Sequence, residues 1–217
     1  RNCKEFMNKN RYICVNIGDQ QKANLAAWHS ITLEQLKFIF HRSIYWKKPD
    51  GAAPAHKRIP YPRWYQPPTS TETIAIYFNP AVEEQPEWFE SMVVYSSNEI
   101  AAKDRPPVRE AVPINQEKLK KYWTNVWNLV PEGRSEIARD APPVSLPEAC
   151  ITFYSLDNEL VLDPFMGAGT TLMAAQLKGR KFAGVEMDPR YVEVTLRRYQ
   201  KAYPQSVIKC LNREVKL

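Results

Sequence analysis

One stretch constrains this chain more than any other. Glu159-Leu160-Val161-Leu162-Asp163 reads as a strand, Pro164 to Gly169 as a turn, and Thr170 to Leu177 as a helix that Gly179 stops. Lys181-Phe182-Ala183-Gly184-Val185-Glu186 reads as the next strand, and Pro189 opens a second helix that runs to about Ala202. Strand, turn, helix, strand and helix in this order form a right-handed crossover unit of a parallel sheet. In such a unit ligands bind at the carboxyl ends of the strands.

The turn narrows the choice of ligand. An acid, Asp163, ends the first strand, and two glycines follow it in Pro164-Phe165-Met166-Gly167-Ala168-Gly169-Thr170-Thr171. Without Cβ atoms Gly167 and Gly169 let the backbone approach a ligand closely. Glu186 ends the next strand 23 residues after Asp163, where a carboxylate can accept hydrogen bonds from both hydroxyls of a ribose. A phosphate-binding loop requires Gly-Lys-Ser/Thr, and the Lys is absent. A dinucleotide fingerprint requires a third glycine where Leu172 stands. An acid before the turn is unfavourable for pyrophosphate; it suits a ligand with an ammonium group and a sulfonium charge.

The remaining sequence sets wider bounds. With 217 residues and 44% hydrophobic content the chain is long enough for one sizeable domain, or one core plus a long insertion. Its net charge of +6 and its pI near 9.1 suit a polyanionic partner. No apolar run approaches the roughly 18 residues of a membrane span, and the start at Arg1 shows neither Met nor a signal-peptide core. The expectation is an intracellular protein whose first residue is a boundary. Cys3, Cys14, Cys150 and Cys210 are scattered, without disulfide or zinc spacing; Cys14 reads as a small buried hydrophobe. Arg11 to Asp19, Ser43 to Trp46 and Thr73 to Phe78 read as further strands. Thr32 reads as the cap of a helix whose apolar face is Leu33, Leu36, Phe38, Ile39 and Phe40. Most of the 18 prolines fall between Pro49 and Pro147, which predicts long loops there.

Asp163-Pro164-Phe165-Met166-Gly167-Ala168-Gly169-Thr170-Thr171, followed by Gly184-Val185-Glu186-Met187-Asp188-Pro189-Arg190-Tyr191, closely resembles the amino-group DNA methyltransferases. The resemblance is to the subgroup whose catalytic region precedes the cofactor region. It extends back through Leu146-Pro147-Glu148, Val126-Trp127, Glu72 to Phe78, the "WxKP" segment Trp46-Lys47-Lys48-Pro49, and Tyr12 to Asp19. It implies an α/β, Rossmann-like class I methyltransferase fold, with a mostly parallel sheet, helices on both faces and long recognition loops. It also implies S-adenosyl-L-methionine as cofactor. Asp163 and the turn Pro164, Phe165, Met166, Gly167 and Gly169 would hold the methionine end, Glu186 the ribose, and Met187 or Asp188 the adenine. Thr170 and Thr171 stand on the cofactor side, with capping of the helix amides the favoured role for at least one of them. Residues 126–217 would form the cofactor region, and 1–47 with 72–80 the catalytic-side sheet of one domain.

The family's catalytic tetrad, Asp/Asn/Ser-Pro-Pro-aromatic, does not occur. Gln66-Pro67-Pro68-Thr69, Arg105-Pro106-Pro107-Val108 and Ala141-Pro142-Pro143-Val144 all fail the pattern. The resemblance places the tetrad before Tyr12, hence before Arg1. The expectation is a truncation or an omitted catalytic loop, with a catalytically inactive relative as the alternative. The target would be an exocyclic amine of a flipped base in double-stranded DNA: adenine N6 as the commoner activity, cytosine N4 as the alternative. A non-catalytic cofactor- and DNA-binding subunit, or a methyltransferase acting on RNA or a small molecule, are the other readings. Lys47, Lys48, Lys57, Arg58 and Arg63, set among aromatics, and Arg105 and Arg109 further on, are the candidate DNA contacts. A homodimer or a restriction-endonuclease partner and a cytoplasmic location complete the expectations, with no metal.

Overall fold

A computed structural model describes residues 4–5, 7–17, 25–48, 71–80, 120–130 and 141–209. Lys57, Arg58, Arg63, Arg105 and Arg109, and the Pro-Pro segments at 66–69 and 104–108, lie outside the described residues. The chain divides into two compact units, Arg1–Val130 and Pro131–Leu217.

In the first unit, strand β1 (Arg11–Ile17) is followed by helix α1 (Leu25–Gln35), β2 (Ile39–Lys47), β3 (Thr71–Asn79), a 3-10 turn (Lys120–Tyr122) and β4 (Val126–Asn128). The strand order is β1-β3-β2-β4. β3 runs antiparallel to both neighbours, while β2 and β4 are parallel. The sheet is therefore mixed rather than mostly parallel; the inserted β3 is what departs from the expectation. Its sequence explains its central place. Ile74, Ala75, Ile76 and Tyr77 are all buried, and a continuous apolar run suits a strand covered on both faces. Leu33 and Phe38 pack with Ala75 and Tyr77 on one face. Ile44, Trp46 and Trp127 are buried on the other. Among the described strands β1 lies at the sheet edge, and Cys14 is exposed there, not buried as expected. Val126–Asn128, expected in the cofactor region, pairs with β2.

Helix α1 begins earlier than Thr32, which lies inside it, and ends at Gln35. Lys37 takes φ +62, with its N–H donating to the Glu34 carbonyl at 2.8 Å and that of Phe38 donating to the Leu33 carbonyl at 3.0 Å. That pair of bonds is a left-handed helix cap. It frees Ile39 and Phe40 to enter β2, where the expectation had them on the helix.

The second unit contains helix α2 (Ser145–Tyr154), β5 (Leu160–Asp163), helix α3 (Thr170–Leu177), β6 (Lys181–Gly184) and helix α4 (Pro189–Ala202). β5 and β6 are parallel, with Asp163 opposite Gly184. Val144, Ile151, Ala174 and Ala175 form the core, with Val161, Met173 and Phe182 packed against it. Pro143 is fully buried just before α2. Gly179 at φ +65 closes α3 with the same cap as Lys37: Gly179 N–H donates to the Gln176 carbonyl and Arg180 N–H to the Ala175 carbonyl. The largely buried Arg180 side chain donates to Ser155 Oγ and the Ser155 carbonyl and pairs with Asp157, fastening the end of α2 to the end of α3. Among the described residues no helix is long and apolar enough to cross a membrane.

Candidate functional site

The site forms where β5 and β6 end together. The Val185 N–H donates to the Asp163 carbonyl at 2.9 Å, and the Met166 N–H donates to the Val185 carbonyl at 3.0 Å. Strand pairing thus continues past β6 and brings the turn after Asp163 beside Glu186. The Asp163 carboxylate folds over its own turn and accepts the Phe165 N–H at 3.0 Å. Glu186 ties the assembly together: Oε2 accepts the Gly167 N–H at 2.8 Å and Oε1 accepts the Asp188 N–H at 2.9 Å. These bonds, that of Asp188 first, hold the Glu186 carboxyl below the usual glutamate range against the opposing effect of burial. Each oxygen keeps a second lone pair, so the bonds leave capacity for a ligand hydroxyl.

Asp188 caps α4, accepting the Arg190 N–H at 2.9 Å, and its carboxylate also pairs with the Arg190 guanidinium. The Arg190 side chain keeps the Asp188 carboxyl ionised to lower pH than usual. Asp188 is thus engaged by its own helix, and Met187 beside it is 95% exposed. Phe165 is 87% exposed at the tip of the turn.

The two glycines are required for different reasons. Gly167 takes φ +53, where L side chains are strained, and a Cβ there would meet nothing closer than the Phe165 carbonyl at 3.9 Å. Gly169 takes φ +79, and a Cβ there would lie 2.5 Å from Thr195 Cγ2. The closeness at Gly169 is therefore to the protein itself. Gly169 is also the N-cap of α3 and no side chain caps that helix. Thr170 and Thr171 fall within the helix, one and two positions past its N-cap, which corrects the expected capping role.

Sequence reasoning missed two residues of α4. Thr195, 2% exposed, donates its hydroxyl to the Gly167 carbonyl at 2.9 Å, and Arg198 donates to the Ala168 carbonyl at 3.4 Å. One signal was present. Thr195 lies four residues before the buried Tyr199 on the helix's inward stripe, and a hydroxyl at an inward position needs a buried acceptor.

Of the expected DNA contacts, the structure separates Lys47 from Lys48. Lys47 is exposed at the end of β2. Lys48 pairs with Glu72 at 2.5 Å and lies over the Trp46 ring, while Glu72 also accepts from Asn16. Among the described residues no group of three or more His, Cys, Asp or Glu is placed to hold a metal ion.

The sequence pattern of the N6/N4 DNA methylase family matches residues 1–197. The chain belongs to this DNA methylase family. It is 26% identical over 187 residues to the type II methyltransferase M.MjaI of Methanocaldococcus jannaschii, covering 81% of this chain and 56% of that protein. It is 33% identical over 113 residues to the type II methyltransferase M.HinfI of Haemophilus influenzae, covering 48% of this chain and 31% of that one. The chain thus spans little more than half of the first relative and under a third of the second. Among solved structures, one described as a DNA modification methylase of Thermus thermophilus, complexed with S-adenosyl-L-methionine, aligns at a TM-score of 0.63 and 24% identity over 94% of this chain and 74% of that one. The PvuII DNA methyltransferase, cytosine-N4-specific, aligns at a TM-score of 0.52 and 17% identity over 87% of this chain and 63% of that one. The chain accordingly has the class I methyltransferase fold.

Proposed function

We propose that this DNA methylase chain carries the S-adenosyl-L-methionine site of an enzyme that methylates an exocyclic amine of a base in double-stranded DNA, adenine N6 before cytosine N4. The observation that carries the reading is the Glu186 carboxylate, which holds the Gly167 and Asp188 amides at once and so fixes an acidic, glycine-lined strand end. The residues present fit the cofactor. Asp163 and Glu186 offer negative charge, Phe165 and Met187 offer exposed apolar surface, and the turn lacks the lysine a phosphate ligand would want.

Asp163 would hold the ammonium end, the Phe165–Gly169 turn the methionine backbone, Glu186 the ribose, and Met187 with Asp188 the adenine edge. Thr170 and Thr171 would line the start of α3 beside it. When bound, the cofactor supplies a methyl group activated by its sulfonium. This chain's residues bind and orient; their fixed geometry supports an in-line approach of the base amine. No residue of the chain is assigned the chemistry on the base itself. Adenine is placed first because it is the commoner target of such enzymes; cytosine N4 stays the alternative, since an N4-specific protein shares the fold. Lys47, with Lys57, Arg58, Arg63, Arg105 and Arg109, would meet DNA phosphates, and a restriction-endonuclease partner fits the kinship with type II methyltransferases.

The test is to incubate the full-length protein with duplex DNA and methyl-labelled cofactor, and to separate the product nucleosides. Label in N6-methyladenine is the expected result. Label in N4-methylcytosine would change the base. Cofactor binding without DNA labelling would indicate a non-catalytic subunit, and label in RNA alone would overturn the reading.

A further inference from the structure

Among the described glycines only Gly184 lacks a positive φ. It ends β6, opposite Asp163, in backbone that any residue can adopt. What that position lacks is room. A Cβ there would lie 2.5 Å from Met166 Sδ and 2.7 Å from Phe182 Cε1, well inside the roughly 3.5–4.0 Å at which non-bonded heavy atoms rest. A glycine within a strand that no dihedral demands marks a close approach.

The approaching group belongs to the turn after Asp163. Met166 meets the end of β6 twice. Its N–H donates to the Val185 carbonyl at 3.0 Å, and its thioether rests on Gly184 next door. Its carbonyl accepts the Gly169 N–H at 3.0 Å, closing the turn that opens α3. The following residue, Gly167, gives its N–H to Glu186. Residues 166 and 167 are therefore seated in step on residues 184 to 186, and the sulfur against Gly184 sets how closely the turn lies.

The two side chains around the missing Cβ support different things. Phe182 packs against the core of Val144, Ile151, Ala174 and Ala175, so displacing its ring would cost stability. Met166 is half-buried in the turn, and its backbone is held at both N–H and carbonyl. A methyl group at position 184 would force its thioether off the strand or lift the turn itself. Either change falls on the turn and not on the core.

We propose that Gly184 is a positioning residue for S-adenosyl-L-methionine binding. By carrying no side chain it seats Met166, and through Met166 it shapes the turn that takes the methionine end of the cofactor. The proposal rests on the reading of that turn as the cofactor site and adds the pair that sets its position.

The experiment is a double-mutant cycle on the full-length protein: Gly184→Ala, Met166→Ala and the two combined. Calorimetry reads the affinity of S-adenosyl-L-methionine and of 5′-methylthioadenosine, which keeps the nucleoside and lacks the amino-acid end. Urea unfolding reads stability. Gly184→Ala should weaken S-adenosyl-L-methionine about tenfold, the scale of an overpacked contact, and 5′-methylthioadenosine far less. Met166→Ala should cost about threefold through lost contacts. The double variant should be no weaker than Met166→Ala alone, because the added methyl then meets no sulfur. An additive double variant, about thirtyfold down, would overturn the coupling. Equal losses for both ligands, or a lowered urea midpoint that Phe182→Leu restores in the Gly184→Ala background, would assign Gly184 to the core and overturn it as well. Should Gly184→Ala alone fail to fold, the double variant decides: recovered folding supports the seat on Met166, and continued failure overturns it. Wild-type affinity in Gly184→Ala would sink the proposal and leave the cofactor site standing, whereas a wild type that binds no S-adenosyl-L-methionine would remove the site itself.

Discussion

The two units hold their polar groups over very different lengths of chain. In the second unit the bonds that shape the turn join near neighbours: Gly167 to Glu186 across 19 residues and Thr195 to Gly167 across 28. In the first unit Asn16 meets Glu72 across 56 residues and the Trp46 indole meets Leu129 across 83. The first arrangement fixes a ligand-sized geometry with a few adjacent groups. The second makes each side chain a tie between distant parts of a sheet. Removing a group should therefore cost affinity in one unit and folding in the other.

Trp46→Ala puts the largest strain on this contrast. It empties a buried site and leaves the Leu129 carbonyl without its donor, so urea unfolding should show a loss of about 3–5 kcal/mol. A loss below about 1 kcal/mol would mean the sheet is not the cooperative core described above. Asp163→Ala should do the reverse. Calorimetry should find cofactor affinity lowered by about 100-fold or more, with the urea midpoint little changed; unaltered affinity would count against the site.

Acid pH offers a titration of the same turn. The amide bonds from Asp188 and Gly167 lower the folded pKa of Glu186, so the ionised group's contribution is complete above the ordinary glutamate range. It is lost only as the pH falls through the lowered folded value. Cofactor affinity should be flat from pH 8 to pH 6 as far as Glu186 governs it, and should fall only in acid. A decline centred near neutrality would assign the control to another group.

Thr195→Val keeps the packing against Gly169 but loses the bond to the Gly167 carbonyl. The expected cost is about 1 kcal/mol, or about fivefold in cofactor KM with kcat preserved; Thr195→Ser, which keeps the hydroxyl, should restore it. Equal defects in both variants would assign Thr195 to packing alone. Smallest of all, Lys48→Ala removes a partly exposed ion pair with Glu72 and should shift stability by less than about 1 kcal/mol. A larger loss would place the pair within the cooperative sheet.

The helix caps show why one unit is easier to read. Gly179 and Lys37 close their helices with the same pair of backbone bonds and the same positive φ. Glycine announces such a position and lysine does not. The sequence pattern therefore bounds α3 correctly, but starts α1 at Thr32 and runs it on into Ile39 and Phe40. Cys14 is misplaced for a related reason. Its apolar neighbours fit a buried strand equally well, whereas β1 stands at the edge of the described sheet and Cys14 is exposed on it.

Residues 159–202 determined by themselves their strand-turn-helix-strand-helix order, their acidic strand ends and their glycine turn, because each depends on spacing and backbone preference within a short segment. Tertiary structure alone decided that β3 lies between β1 and β2, that Lys48 is bound to Glu72 while Lys47 stays exposed, and that Glu186 grips two amides while Thr195 supports the turn. Each of those outcomes is a pairing between groups on different elements. Local pattern tells which way a side chain alternates, and only the folded register tells what it meets.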